Sequence, residues 1–279
     1  MMRSLYSGVS GLKNHQTRMD VIGNNIANVN TAGYKSSRVV FQDIYSQMVK
    51  AGAAATETSG GTNPSQIGLG VSLGAIDILH TSAATQRTDN PLDLAIEGDG
   101  FFIVNKDGAE ATEEENAGYF FTRAGNFYID SNGDIVNANG LYLIGYSNED
   151  PEATWDEANE DSRAKISVID PEAEEESATN RYTDISIDET GVIWGVDSNN
   201  QKVAFAKISL ATFSNVNGLE KEGSSLYIAT GSSGAASYAV SGEGGAGKIN
   251  PGGLEMSNVD LASEFTDMIV TQRGFQAKS

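Results

Sequence analysis

Residues 1–35 read MMRSLYSGVSGLKNHQTRMDVIGNNIANVNTAGYK. Leu5, Leu12, Met19 and Ile26 stand seven apart, and Val9, Ile22 and Val29 flank that line at offsets of three or four. One stripe on a helix collects all of them, and alternation does not. The pattern predicts a helix over Arg3–Asn28, about 39 Å long at about 1.5 Å per residue. The far end of the chain carries a matching pattern. Leu261, Met268 and Phe275 repeat at seven, Phe265 and Gln272 do the same between them, and Ile269 stands beside Met268. Each end therefore carries a heptad seam. Two readings are open at this point. The helices form a pair packed on their own β-domain, or they are an assembly element that finds partners in other copies.

The first helix is a poor one in isolation. Gly8, Gly11, Gly23, Asn24 and Asn25 all weaken it, each Gly by about 1 kcal/mol relative to Ala. Such a helix needs packing to exist. The expectation is that both ends are loose in a free subunit and order on assembly.

The 279 residues suffice for one large domain or two to three small ones. A hydrophobic fraction of 39% with 31 Gly suits a β-rich, turn-rich protein. The chain has no Cys, which removes disulfides, thiolate nucleophiles, iron–sulfur clusters and Cys-type zinc sites. A formal charge of −20 argues against nucleic acid and anionic membranes as partners. No apolar run approaches the ~20 residues of a membrane span, and Ser4–Arg18 is too polar for a secretory signal core.

Along the chain, Val39–Val49 is a second helical segment or an extended arm, and period does not decide between them. Ala51–Gln66 reads as a linker with Pro64. Short strands begin at Ile67, where Leu69, Val71 and Leu73 alternate. Leu92–Ile96 and Phe101–Val104 flank a Glu97-Gly98-Asp99-Gly100 turn and predict a hairpin. Further strands are expected over Tyr119–Thr122, Phe127–Ile129, Ile135–Val136, Leu141–Tyr146, Asp184–Ile187, Val192–Val196, Val203–Leu210, Ser225–Ala229 and Tyr238–Val240. Gly231–Gly247 reads as flexible, and Ser257 or Asn258 as the N-cap of the last helix. The expected fold class is mixed and mainly β: an antiparallel β-domain with a discontinuous pair of terminal helices in coiled-coil style. The expected domains are 1–35 with 257–279 as the helical part and 36–66 with 241–256 as an arm. Residues 67–147 with 182–240 form the β-domain, and 148–181 an acidic insert.

The chemical motifs in the sequence are each incomplete. Gly242–Lys248 matches part of a phosphate loop, but Ile249 stands where Ser or Thr is needed, and Pro251 forbids the following helix. Asp130, Asn132 and Asp134 resemble the start of a calcium loop, yet Ile135 and Leu141 occupy the Gly and Glu positions. His15 and His80 are the only histidines, and no Gly-x-Ser-x-Gly elbow supports a nucleophile. No catalytic residue, cofactor or metal is expected.

Residues 3–47, RSLYSGVSGLKNHQTRMDVIGNNIANVNTAGYKSSRVVFQDIYSQ, resemble the amino-terminal signature of the bacterial flagellar rod and hook family, the hook branch above all. Residues 253–276 resemble its closing motif, and Leu92–Phe102 and Phe121–Phe127 resemble two of its middle stretches. The resemblance implies a non-catalytic subunit that polymerises into a helical tube outside the cell, curved in the hook. Its implied partners are other copies of itself, the rod, hook cap and hook–filament junction proteins, and the flagellar type III export apparatus, with no nucleic acid and no membrane insertion. Export would leave no cleaved signal. The family pattern runs on past Ser279 by further helical turns, and longer hook proteins carry a fuller outer domain at residues 148–181.

The implied assembly surface is the helix stripe Leu5, Val9, Leu12, Met19, Ile22, Ile26 and Val29 with Leu261, Phe265, Met268, Ile269, Gln272 and Phe275. Asn24, Asn25, Asn28 and Asn30 are expected to make turn and inter-subunit hydrogen bonds. Gly33, beside Tyr34, is expected to supply a positive φ or a close approach. The rival readings are a distal rod subunit, a secreted β-rich binding module and, third, an enzyme.

Overall fold

A computed structural model describes residues 2–52, 54, 60–106, 118–147, 163–169, 182–197 and 200–278. Most of the acidic insert lies outside the described residues. The chain divides into two compact units. A helical unit takes residues 1–29, 35–79 and 259–279, and a β-unit takes residues 30–34 and 80–258.

The helical unit contains α1 (Met2–Ala27), β1 (Ser37–Asp43), β2 (Ser46–Lys50), β3 (Ser65–Gly68) and β4 (Val71–Ile78). The final helix, α2 (Leu261–Lys278), completes it. Val39–Val49 is extended, not helical, and the expected linker ends in the first two residues of the paired strand β3. β1 pairs antiparallel with β4, and β2 with β3. Ile44 N–H donates to Gly70 O at 3.2 Å and Leu69 N–H to Tyr45 O at 3.0 Å, which joins the two pairings into one ribbon. Residues 67–78, expected to open the β-domain, therefore stay with the helices. Their alternation is that of a ribbon with both faces open, so periodicity alone could not say which strand they would join.

The first strand of the β-unit is β5 (Thr85–Arg87), followed by β6 (Leu94–Glu97), β7 (Phe101–Asn105), β8 (Tyr119–Thr122), β9 (Phe127–Ile129), β10 (Ile135–Asn137), β11 (Tyr142–Ser147) and β12 (Arg163–Lys165). Then come β13 (Thr183–Ile187), β14 (Val192–Val196), β15 (Lys202–Thr212), β16 (Glu220–Gly223), β17 (Leu226–Ile228), β18 (Ser237–Val240), β19 (Lys248–Pro251) and β20 (Gly253–Glu255). All pairings are antiparallel. The main sheet runs β13-β14-β15-β11-β7-β8-β17-β16. The long β15 holds it together. Its first part pairs with β14 and β11, and Ser209–Thr212 pair with β18. Leu210 and Ala211 also face Phe102 and Phe101 of β7. All five residues of β7 are buried, as expected of a strand covered on both faces. The core gathers Phe102, Val104, Leu143, Ile193, Phe205 and Ile208, with Phe102 edge-on to Phe127 at 5.3 Å.

Three expectations need correction. β6 and β7 do not form a hairpin. Gly98 and Gly100 both have positive φ (116° and 135°), and the turn sends β6 away to pair with β19. Residues 241–256, expected in the arm, supply β19 and β20 to the β-unit. The Gly231–Gly247 stretch contains β18 and ends in a hydrogen-bonded turn, in which Ala246 N–H donates to Glu243 O at 2.8 Å. Amides of the phosphate-loop-like stretch are thus engaged by its own backbone.

Candidate functional site

Within the helical unit, α1 and α2 are joined by polar side chains. Arg18 Nη2 lies 3.1 Å from Asp267 Oδ2. Asn25 is buried and donates from Nδ2 to Glu264 Oε1 at 3.0 Å and to Ser37 O at 2.9 Å. Its Oδ1 accepts from Ser37 N–H at 3.0 Å, so one asparagine ties both helices to β1. Small residues let the helices close. A Cβ on Gly274 would meet the His15 ring at 2.9 Å, and one on Gly11 would meet Lys278 Nζ at 2.6 Å. Thr271 is the buried residue of α2.

The face of α2 turned to α1 is therefore Glu264, Asp267, Thr271 and Gly274, not the heptad line. Met268 and Phe275 are half-buried, while Leu261, Phe265, Ile269 and Gln272 are exposed. On α1, Ile22 is buried, Leu12, Met19, Ile26 and Val29 are half-buried, and Leu5 and Val9 are exposed. The physical reason is composition. Small and polar residues at 264, 267, 271 and 274 allow close, hydrogen-bonded packing, which leaves Leu261, Phe265, Ile269 and Gln272 outside. The N-cap is Asp260 rather than Ser257 or Asn258. Its Oδ1 accepts from Ala262 N–H at 2.9 Å and Ser263 N–H at 3.4 Å.

Two groups in this seam carry shifted ionisation. Burial, then the Lys278 and Arg18 charges, pushes the His15 imidazole below its ordinary 6.5. Burial pushes the Glu264 carboxyl above 4.5, against the Asn25 hydrogen bond. Asn28 donates from Nδ2 to Asn24 O at 2.9 Å and to Asn24 Oδ1 at 2.6 Å.

The large exposed apolar side chains concentrate on this unit. Among the described residues, all but Tyr128, Ile129 and Ile169 belong to it. Leu5 and Tyr6 are each 68% exposed, Phe265 is 50% and Ile269 is 58%. The ribbon adds Ile44, Tyr45, Met48, Val49 and Ile67, residues absent from the expected surface. A two-stranded ribbon is marginal alone in water; this one touches α1 where Ser10 Oγ accepts from Val71 N–H at 3.4 Å. The unit is also nearly neutral, with eight Lys/Arg against seven Asp/Glu, whereas the β-unit has ten against thirty-one. Exposed large apolar side chains gathered on one unit make it the candidate interaction surface.

The β-unit holds a second cluster. Arg123 and Glu255 form a buried ion pair at 3.4 Å. Arg123 Nη2 also donates to Gly98 O at 2.9 Å, and the guanidinium stands 5.2 Å from the Phe101 ring centroid. Gly33 N–H donates to Glu255 O at 2.8 Å. Gly33 has φ +67°, and a Cβ there would lie 2.6 Å from Ala124 N. Tyr34 receives Lys221 Nζ 4.8 Å over its ring, and its carbonyl accepts from Asn258 N–H at 3.4 Å. Burial raises the nearby Tyr227 hydroxyl well above the usual phenol range. Sequence reasoning missed Arg123 and Glu255. The signal was a lone Arg between Phe121-Thr122 and Ala124-Gly125, a charge too hemmed in to be solvated.

Among the described residues no helix is long and apolar enough to cross a membrane, and no group of three His, Asp or Glu side chains could hold a metal.

Three family models match the chain. Residues 5–35 match the flagella basal body rod protein model, residues 95–195 the flagellar hook protein FlgE/F/G D1 domain, and residues 250–279 the flagellar basal body rod FlgEFG protein C-terminal model. The chain is 44% identical over 282 residues to the flagellar basal-body rod protein FlgG of Bacillus subtilis, covering 100% of this chain and 93% of that one. It is 32% identical over 433 residues to the flagellar hook protein FlgE of Borreliella burgdorferi, covering 100% and 96%. With the hook protein FlgE of Treponema pallidum it shares 30% identity over 452 residues, covering 99% and 96%. These relatives are named as structural parts of the flagellum, and the chain belongs to the family of flagellar hook and rod axial proteins.

Proposed function

We propose that the chain is the subunit of the flagellar hook and polymerises through its helical unit into a curved tube. The observation that carries this reading is the concentration of exposed apolar side chains on a near-neutral unit, beside a β-unit that is strongly acidic. Apolar surface drives association in proportion to the area removed from water. Like charge on the β-units keeps their contacts loose. Terminal helices would pack in coiled-coil fashion around an export channel, with Leu5, Val9, Leu261, Phe265 and Ile269 turned to neighbouring copies. The β-units would slide over one another as the tube bends, so that the polymer acts as a universal joint. Weak helical ends suit export of an unfolded chain through the type III apparatus to the cell exterior, with no signal peptide removed. The neighbours in that setting are the rod, the hook cap and the hook–filament junction proteins.

A distal rod subunit is the second reading, and one observation favours it. Alignment with the rod protein FlgG takes 282 residues and leaves little room for gaps, whereas alignment with the hook protein FlgE of Borreliella burgdorferi takes 433. Electron microscopy of native flagella with an antibody to the β-unit tests both. Label on a curved segment outside the cell envelope supports the hook. Label on a straight segment within the envelope supports the rod. Absence of label from the flagellum overturns both.

A further inference from the structure

Four stretches far apart in sequence converge on one buried point of the β-unit. Glu255 is the centre. Its backbone carbonyl accepts from Gly33 N–H at 2.8 Å, its Oε1 from Ala83 N–H at 3.2 Å, and its Oε2 faces Arg123 Nη1 at 3.4 Å. Arg123 reaches on to Gly98 O. Three residues later Asn258 repeats the pattern. Its backbone N–H donates to Tyr34 O at 3.4 Å, and its Nδ2 to Thr81 Oγ1 at 2.9 Å. Asn30, Tyr34, His80 and Asn258 are the β-unit residues at which the chain passes to or from the helical unit. Within the β-unit, Glu255 and Asn258 thus hold together the stretches that lead to three of the four crossings, and Arg123 roots them in the sheet through β8 and Phe101.

We propose that Arg123 and Glu255 are positioning residues for force transfer, the anchor through which tension and torque on the terminal segments enter the β-unit. This rests on the flagellar reading above. A force on one crossing alone would strip hydrogen bonds one at a time. Three crossings tied to one buried ion pair must fail together, because neither charge can be exposed to the apolar surroundings without its partner. The Arg fork is suited to this, since it holds the carboxylate and the Gly98 carbonyl at once. Gly33 lets the stretch before Tyr34 lie flat on the Arg123-Ala124 backbone, where any side chain would lift it off.

The test uses the full chain in its own bacterium, with Glu255→Gln compared with Asp134→Asn. Asp134 is a buried carboxylate paired with Lys165 at 2.8 Å, elsewhere in the same unit. Torsional stiffness of single flagella is read from the angular fluctuations of a tethered bead. Glu255→Gln should lower stiffness at least about twofold while Asp134→Asn leaves it unchanged. Wild-type stiffness in Glu255→Gln, or equal softening in both variants, overturns the proposal. A second measurement on purified subunits needs no flagellum. Trypsin cleavage after Lys35, which is fully buried, is compared with cleavage after Lys207 in β15. Their ratio should rise at least about tenfold in Glu255→Gln and not in Asp134→Asn, because the stretch that Glu255 holds at Gly33 opens locally. An unchanged ratio overturns the anchor. A changed ratio with no subunit found in the flagellum keeps the anchor and overturns the flagellar reading.

Discussion

Nη1 of Arg123 lies 3.4 Å from Oε2 of Glu255, and both side chains are all but removed from solvent. Replacing Glu255 by Gln leaves a buried guanidinium without a counter-charge. Breaking such a pair from one side costs about 3–5 kcal/mol. Denaturant unfolding of the full chain, followed through Trp194 in the β-unit, should show a loss of that size. Removing both charges in Arg123→Met with Glu255→Met should recover part of it, because no uncompensated charge remains. A double variant no better than the sum of its parts would contradict the account.

Gly33 combines φ +67° with backbone of Arg123 and Ala124 pressed against its open side. Alanine there meets both backbone strain, worth about 1–3 kcal/mol, and overlap with main-chain atoms that cannot swing aside. Gly33→Ala should lower the melting temperature by several degrees in calorimetry. Gly140→Ala gives the comparison. That residue also has positive φ (+77°) but nothing near its Cβ direction, so its loss should be the strain alone.

Asp260 caps α2 by accepting the amides of Ala262 and Ser263. Loss of such a cap costs about 1 kcal/mol. Asp260→Ala should speed amide exchange over the first turn of α2 roughly fivefold at that figure, and Asp260→Asn should restore most of the protection. Equal exchange in all three would show that packing on α1, not the cap, starts the helix.

His15 and Glu264 act on the helix pair in opposite senses. The folded state lowers the His15 value from 6.5, so it favours neutral imidazole. That contribution is complete above 6.5 and is lost as pH falls toward the lowered value. The folded state raises the Glu264 value from 4.5, so it favours the protonated acid. That contribution is present below 4.5 and is lost as pH rises through the raised value. Helical circular dichroism of the full chain should therefore show weaker pairing on going from about pH 7 to about pH 5.5, and His15→Gln should remove that decline. Glu264→Gln should leave the decline in place and flatten the recovery nearer pH 4.5.

Much of this was legible in the residues. The period over Leu5–Val29 marks a helix because its apolar spacing fits no strand, and α1 runs over Met2–Ala27. The strands β7 to β11 follow from short apolar runs cut by Asn-Gly and Asp-Gly turns. The pairing of strands was not legible. β4 joins β1 past the whole of β2 and β3, and β6 joins β19 from opposite parts of the chain. Nothing local in Val71–Ile78 or Leu94–Glu97 names a partner. Heptad spacing identified α2 as a helix, but the side chains that join it to α1 were not legible, because Asp267, Thr271 and Gly274 carry no apolar signal. The ribbon residues Tyr45 and Met48 escaped notice for the same reason in reverse, as apolar side chains normally read as core.

A helical reconstruction of the native polymer, at a resolution that places side chains, bears most directly on all of this. It should show Leu5, Val9, Phe265 and Ile269, exposed in the single chain, covered by neighbouring copies while the Arg123–Glu255 pair persists inside each β-unit. Those four side chains open to solvent in the polymer, or copies joined through their acidic β-units instead, would contradict it.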